Sequence, residues 1–329
     1  MTQAAGARAI VLRKHGGPEV LRVEDAAVGE PGPGELRVRQ TAIGVNFHDC
    51  YVRSGLYKTL QLPGIPGIEG AGVVERVGSG VTGFAPGDRI GYVSAGYGGY
   101  ASQRLLPAHL ALKLPVGMRE ETAAAVLLKG LTVAMLVTHV FAVKPGHRIL
   151  VQAAAGGVGQ LLCQWARHLG AVVVGTVGSL EKAEIARRSG CHHTILYRNE
   201  DFVARVNEVT DGKGVHAAYD SVGKDTLMGS LACLGVRGHL VNFGQSSGPV
   251  APFAVSALGA KSNSLTRPML FHYMTDRKEL EALAQSLFDV LAAGSVDAGA
   301  PQRFALAEAS AAHAALEARR TAGSVVLIA

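Results

Sequence analysis

The sequence predicts an α/β protein in two parts, a β-rich part and a doubly wound parallel sheet covered by helices. Three observations carry that expectation. Short β-type runs broken by Gly/Pro turns fill the first 125 or so of the 329 residues. After about residue 145, strand-like and helix-like stretches alternate, as they do when helices cross between parallel strands. The glycine cluster "AAAGGVGQ" (153–160) lies between an apolar run and an amphipathic one.

In the first part, "ELRVRQTAIGV" (35–45), "GAGVVERVG" (70–78) and "DRIGYV" (88–93) read as strands, with turns at "PGPGE" and "FAPGDR". "EETAAAVLLKGLTVAMLVTHV" (120–140) reads as a helix broken at Gly130, and "KPGHRILVQA" (144–153) as a turn and a strand. The alternation continues with "AVVVGTV" as a strand, "SLEKAEIARRSG" as a helix stopped by Gly190, and "HTILY" as a strand. "DFVARVNEVTDGKG" is a helix; "VHAAYDSVG" and "RGHLVNFGQ" are strands. "DRKELEALAQSLFDVLAAG" (276–294) is a helix with Asp276 as N-cap and Gly294 as stop, and "GSVVLIA" is a closing strand.

Composition narrows the function classes. With 48% hydrophobic and 18% charged residues, the chain can build a large core and is not disordered. The net charge of +6 comes without any Lys/Arg block of five, so a nucleic-acid surface is not indicated. No run approaches 18 consecutive apolar residues, and the N-terminus lacks the apolar core of a signal peptide. Cys50, Cys163, Cys191 and Cys233 form no C-x-x-C pair, which argues against a disulfide framework or a cysteine-rich zinc lobe. A cytoplasmic protein is expected.

The glycine cluster carries the chemistry. Val158, Leu161, Leu162, Trp165 and Leu169 recur at helical spacing, so the helix starts near Gly157. Gly156, Gly157 and Gly159 then fall at a strand-to-helix junction, where free N–H groups and the helix dipole suit a pyrophosphate. Ala154 replaces the first glycine of the usual G-x-G-x-x-G. An acid at the end of the next strand would bind the adenosine ribose of NAD; Val177 stands there instead, followed by Ser179 and Lys182. A hydroxyl and an ammonium attract a 2′-phosphate, so NADPH is the expected cofactor.

"KHGGPEVL", "AIGVNFHDCYVRSGLY", "FAPGDRI", "LKGLTVAMLV", "AAAGGVGQLLCQWARHLGA", "GTVGSLEKAEIARRSG", "YDSVG" and "NFGQSSG" occur nearly end to end. On these stretches the sequence resembles the zinc-free quinone oxidoreductases of the medium-chain dehydrogenase/reductase superfamily, the group that includes zeta-crystallin. The resemblance implies a GroES-like catalytic domain (1–126 and 266–329), a Rossmann NADPH-binding domain (127–265) and a homodimer. Zinc-bearing relatives place ligands where this chain has Asn46, Ile68 and Leu128, which cannot build a zinc site. No metal is therefore expected. His48 remains near the pocket.

A quinone is already electrophilic and needs no metal Lewis acid, only proximity to the nicotinamide and a donor for the developing phenolate. The resemblance places Asn46, Tyr51, Tyr57 and Arg267 around that reaction. It places Thr132 near the nicotinamide ribose or pyrophosphate, and Gly156, Gly157 and Val158 around the pyrophosphate. Ser179, Lys182, Tyr197 and Arg319 (or its neighbour Arg320) would surround the 2′-phosphate, with Ser221, Phe243 and Gly244 at strand ends lining the cleft. Two other readings stay open on the same scaffold: reduction of the activated C=C bond of enones or alkenals, and a non-catalytic NADPH- or RNA-binding role.

Overall fold

The computed structural model describes residues 6–318, 320–321 and 323–329. It divides into two units, Met1–Leu128 with Ala298–Ala329, and Lys129–Asp297. Along the chain come β1 (Ala7–Val11), β2 (Arg22–Ala26), β3 (Glu35–Val45), α1 (Phe47–Ser54), β4 (Glu69–Val77), β5 (Arg89–Val93), β6 (Gln103–Pro107), β7 (Ala111–Lys113) and α2 (Glu120–Met135). They are followed by β8 (Arg148–Val151), α3 (Gly157–His168), β9 (Val172–Val177), α4 (Leu180–Arg188), β10 (His193–Leu196), α5 (Phe202–Val209), β11 (Val215–Asp220), α6 (Leu227–Ala232), β12 (Leu234–Asn242), β13 (Ser264–Thr266) and α7 (Arg277–Ala292). β14 (Gln302–Ala305), α8 (Ala309–Glu317) and β15 (Val325–Ile328) return the chain to the first unit.

In the first unit the main sheet runs β14-β15-β3-β4-β5-β7, with β6 also paired to β3. Leu36, Val38 and Gln40 of β3 alternate inward, while Ala42–Val45 are buried without alternation where β15 pairs with them. One core gathers Ile10, Leu12, Ile43, Val45, Tyr100 and Leu327; another gathers Leu36, Val38, Ile90, Tyr92 and Leu106.

The second unit holds a six-stranded sheet, β10-β9-β8-β11-β12-β13, parallel throughout. Its order reverses between β8 and β11, the switch point at whose carboxyl ends open α/β sheets bind ligands. The helix caps follow the sequence reading. Asp276 accepts the Lys278 amide at 2.6 Å, Gly190 and Gly294 take left-handed φ of 101° and 68°, and α3 begins at Gly157.

Two expectations need correction. Helix α2 runs through Gly130 without a break. A Cβ there would lie 2.5 Å from Leu287 Cδ1, so the glycine serves helix packing and not termination. The second unit boundary also lies at residues 297/298, beyond the expected 265/266. β13 pairs with β12, α7 packs Leu287 on Gly130, and Gln164 bonds Asp297, which keeps this stretch with the parallel sheet. Residues Glu120–Val140 are long and apolar enough to cross a membrane, but 72% of that window is buried inside the protein, as in a core helix.

Candidate functional site

Strand β8 ends in a tight turn whose first bend falls on Ala153, at φ 55°. Left-handed backbone costs a residue with a Cβ about 1–2 kcal/mol. Gly156 is the N-cap of α3, and no side chain caps that end. A Cβ on Gly159 would collide with the Ala153 carbonyl oxygen and lie 2.9 Å from the Ala154 carbonyl carbon. Glycine there seats the helix on the turn. Ala154 fits in place of a motif glycine because its neighbour supplies the space: a Cβ on Gly175 of β9 would lie 2.6 Å from Ala154 Cβ. Uncapped amides on a glycine-lined turn fit the pyrophosphate of a dinucleotide.

A buried polar network fixes the strand ends beneath the turn. Thr176 donates to Gln152 at 2.5 Å, Gln152 to Ser230 at 3.0 Å, and Ser230 to Asp220 at 2.8 Å. Asp220 is fully buried and also accepts from the amides of Val222 and Gly223 at 2.9 Å and from the Thr226 hydroxyl. Ser221, Phe243 and Gly244 come together beside it: the Phe243 amide donates to Asp220 O at 2.9 Å, and a Cβ on Gly244 would lie 2.6 Å from Ser221 O. Thr132 is half-buried on α2.

At the end of β9, Ser179 caps α4 by accepting the Lys182 amide at 3.3 Å. Gly178 leaves room for its neighbours, since a Cβ there would lie 2.8 Å from the Tyr197 hydroxyl and 3.5 Å from Arg198 Nε. Ser179, Lys182 and Tyr197 therefore share this strand end with Arg198, which sequence reasoning missed. Arg319 lies outside the described residues. Arg267, just past β13, donates to Asn242 O at the end of β12 at 3.2 Å.

The other predicted residues lie on the first unit. Asn46 precedes α1, and its amide N–H donates to Asp49 Oδ2 at 2.8 Å. Its side-chain Nδ2 donates to Glu69 Oε2 at 2.9 Å, while Glu69 Oε1 accepts the Leu128 amide at 2.6 Å. Glu69 is fully buried and was not predicted, although it directly follows Ile68, one of the positions compared with zinc ligands. His48 and Tyr51 of α1 then join Tyr57 and Tyr97 in a cluster of rings. Tyr51 and Tyr57 meet edge to face at 5.2 Å, His48 meets Tyr57 at 5.5 Å, and Tyr97 stacks on His48 at 6.0 Å. His48 Nε2 lies 3.3 Å from the Tyr97 hydroxyl, which also bonds the Thr59 hydroxyl. Burial pushes the His48 imidazole down to about 4, so it is neutral at physiological pH. Tyr97 had no sequence signal beyond its place in "AGYGGY".

A second network anchors α1 to α8. Arg53 carries only donors, so its Nη1 at 3.4 Å makes His313 Nδ1 an acceptor. The proton then sits on Nε2, facing Tyr100 Oη at 2.9 Å, and Tyr100 donates in turn to Asp49 Oδ2 at 3.1 Å. Arg53 also grips Glu317 with two bonds of 2.6 and 3.0 Å. Burial first, and Arg53 second, push His313 down to about 3.

Family models for the alcohol dehydrogenase GroES-like domain and the zinc-binding dehydrogenase match residues 32–116 and 157–288. The quinone oxidoreductase of Pseudomonas aeruginosa is 48% identical over 98% of this chain and 99% of its own. The chain belongs to the quinone oxidoreductase family. Its fold is that of the medium-chain dehydrogenase/reductase superfamily. The Escherichia coli quinone oxidoreductase solved in complex with NADPH superposes with a TM-score of 0.95 at 44% identity, covering 98% of this chain and all of that one. The 2-haloacrylate reductase of a Burkholderia species is 45% identical over 97% of this chain and 98% of its own. The zinc-binding dehydrogenase family implies a zinc ion, and the donor set here does not fit one. Asn46 and Leu128 hold Glu69 by N–H donors, and no group of three His, Cys, Asp or Glu among the described residues could hold a metal.

Proposed function

We propose that the chain reduces quinones with NADPH and without zinc. The observation that carries the proposal is its end-to-end match, at 44% identity, to a quinone oxidoreductase solved with NADPH. The local chemistry supports it. Gly156, Gly157 and Val158 would receive the pyrophosphate on uncapped helix amides, with Thr132, Ser221, Phe243 and Gly244 beside the rest of the dinucleotide. Ser179, Lys182, Tyr197 and Arg319 would take the 2′-phosphate, joined by Arg198. When bound, NADPH supplies the hydride. Tyr51 and Tyr57 would form an aromatic wall for a flat substrate. Asn46 commits one Nδ2 proton to Glu69 and would offer the other to the substrate oxygen. Arg267 would offset negative charge developing on the substrate oxygen.

The relative named for 2-haloacrylate reduction favours a second reading, reduction of an activated C=C bond on the same residues. A screen of NADPH oxidation against benzo- and naphthoquinones, enones, alkenals and 2-haloacrylates decides between them. Turnover of quinones supports the first reading; turnover of acrylates or alkenals alone supports the second. NADPH binding with no turnover of any class moves a binding role to the front. A homodimer fits the edge strand β13, where Leu265 is exposed, and light scattering tests it. A cytoplasmic setting belongs to the same proposal, and cell fractionation tests it.

A further inference from the structure

We infer that Tyr97, held between His48 and Thr59, donates the proton that completes quinone reduction. The inference rests on the quinone-reductase reading. Quinone reduction to hydroquinone takes up a hydride, which brings both electrons, and one proton. Asn46 and Arg267 can stabilise the anionic oxygen but do not protonate it at neutral pH. Tyr97 carries an O–H in the ring cluster that contains Tyr51 and Tyr57, since His48 touches both Tyr57 and Tyr97. Its hydroxyl lies 3.3 Å from His48 Nε2 and bonds Thr59 on its other side. When His48 carries its proton on Nε2 and the Thr59 hydroxyl also donates, both bonds end on the Tyr97 oxygen and the phenolic proton is left for the substrate. The Tyr97 O–H bond breaks as the hydroquinone O–H bond forms, and the tyrosine oxygen recovers a proton through the Thr59 hydroxyl. Thr59 is exposed, so water resupplies it.

The backbone adds an independent observation. Tyr97 sits at φ 56°, between Gly96 and Gly98, in the left-handed region that disfavours a residue with a side chain. A glycine would relieve that strain. A tyrosine kept there by hydrogen bonds to its hydroxyl marks the phenol as the part that matters.

The test compares wild type, Tyr97→Phe and Thr59→Val. It measures kcat and KM for NADPH-dependent naphthoquinone reduction from pH 6 to 9, at several imidazole-buffer concentrations, with NADPH affinity by fluorescence titration and a thermal midpoint for each variant. Tyr97→Phe is expected to lower kcat by about 10²-fold, the low end of general acid catalysis. Its KM and NADPH affinity should stay within about twofold, and buffer acid should restore part of kcat in the variant but not raise it in wild type. Thr59→Val should show a smaller loss with the same buffer dependence. The inference is overturned if Tyr97→Phe keeps kcat within twofold, or loses it with no response to buffer acid. Should Tyr97→Phe fail to fold, Thr59→Val decides alone, and a buffer-independent kcat there overturns the inference. Wild type inactive on every quinone removes the parent reading; a silent Tyr97→Phe beside an active wild type removes this inference only.

Discussion

Ser179 accepts the Lys182 amide with one lone pair and keeps its hydroxyl proton to donate. The same pair can therefore cap a helix and hold a phosphate. The cap uses the Lys182 backbone amide and not its ammonium, which makes Lys182 the cleaner residue to change. Lys182→Ala is expected to weaken NADPH binding by about tenfold or more, the worth of one charge-assisted hydrogen bond of roughly 1.5–3 kcal/mol. NADH, which lacks the 2′-phosphate, should bind nearly as before. Fluorescence titration with both cofactors checks this, and equal losses would rule Lys182 out as a phosphate ligand. At the same scale, Glu69 accepts N–H donors from two of the residues that stand where zinc-bearing relatives carry ligands. The carboxylate thus orients the Asn46 amide.

The elements were legible in the sequence where local chemistry alone decides them. Residues 35–45 were read as one strand and form β3, and Asp276 and Gly294 bound α7 as expected. The glycine turn was legible because three glycines in four residues follow a strand-like run and open a helix-like one. What failed was Gly130, since a helix glycine that admits a neighbour looks the same in sequence as one that ends the helix. Glu69, Tyr97 and Asp220 were missed for a related reason. Their roles come from partners 20 or more residues away, or from a buried set of donors that no spacing rule announces. The Gly130 packing makes a prediction about α2 and α7. Gly130→Ala should gain up to about 1 kcal/mol of helix propensity. It should lose about 1–3 kcal/mol by pressing on fully buried Leu287. The net expectation is a lower urea midpoint. A raised midpoint would show that Leu287 can move aside.

The whole molecule should be sensitive to acid, because its buried imidazoles are neutral. His313 is held at about 3 and His48 at about 4, against an ordinary value of 6.5. His147, His192 and His239 are shifted in the same direction, chiefly by burial. Above pH 6.5 these rings are neutral folded or unfolded and contribute no pH dependence. Below it the unfolded chain binds protons that the folded one refuses, so stability falls with pH. For His313 and His48 the loss is roughly 2 kcal/mol each by pH 5. Urea unfolding at pH 7.5, 6 and 5 checks this, and a flat profile would mean the rings are protonated in the folded state. His313 sits on α8, close to β15, whose pairing with Ala42–Val45 of β3 joins residues some 280 positions apart. On the ribosome that pairing has to wait. The parallel-sheet unit is one continuous stretch and can fold as soon as residue 297 clears the exit tunnel, whereas β3 waits for Val325–Ile328. A nascent chain therefore acquires its glycine turn before α1 has the anchor that holds the tyrosine ring cluster. Until β15 arrives, the stretch open to wrong partners is the Ala42–Val45 edge of β3.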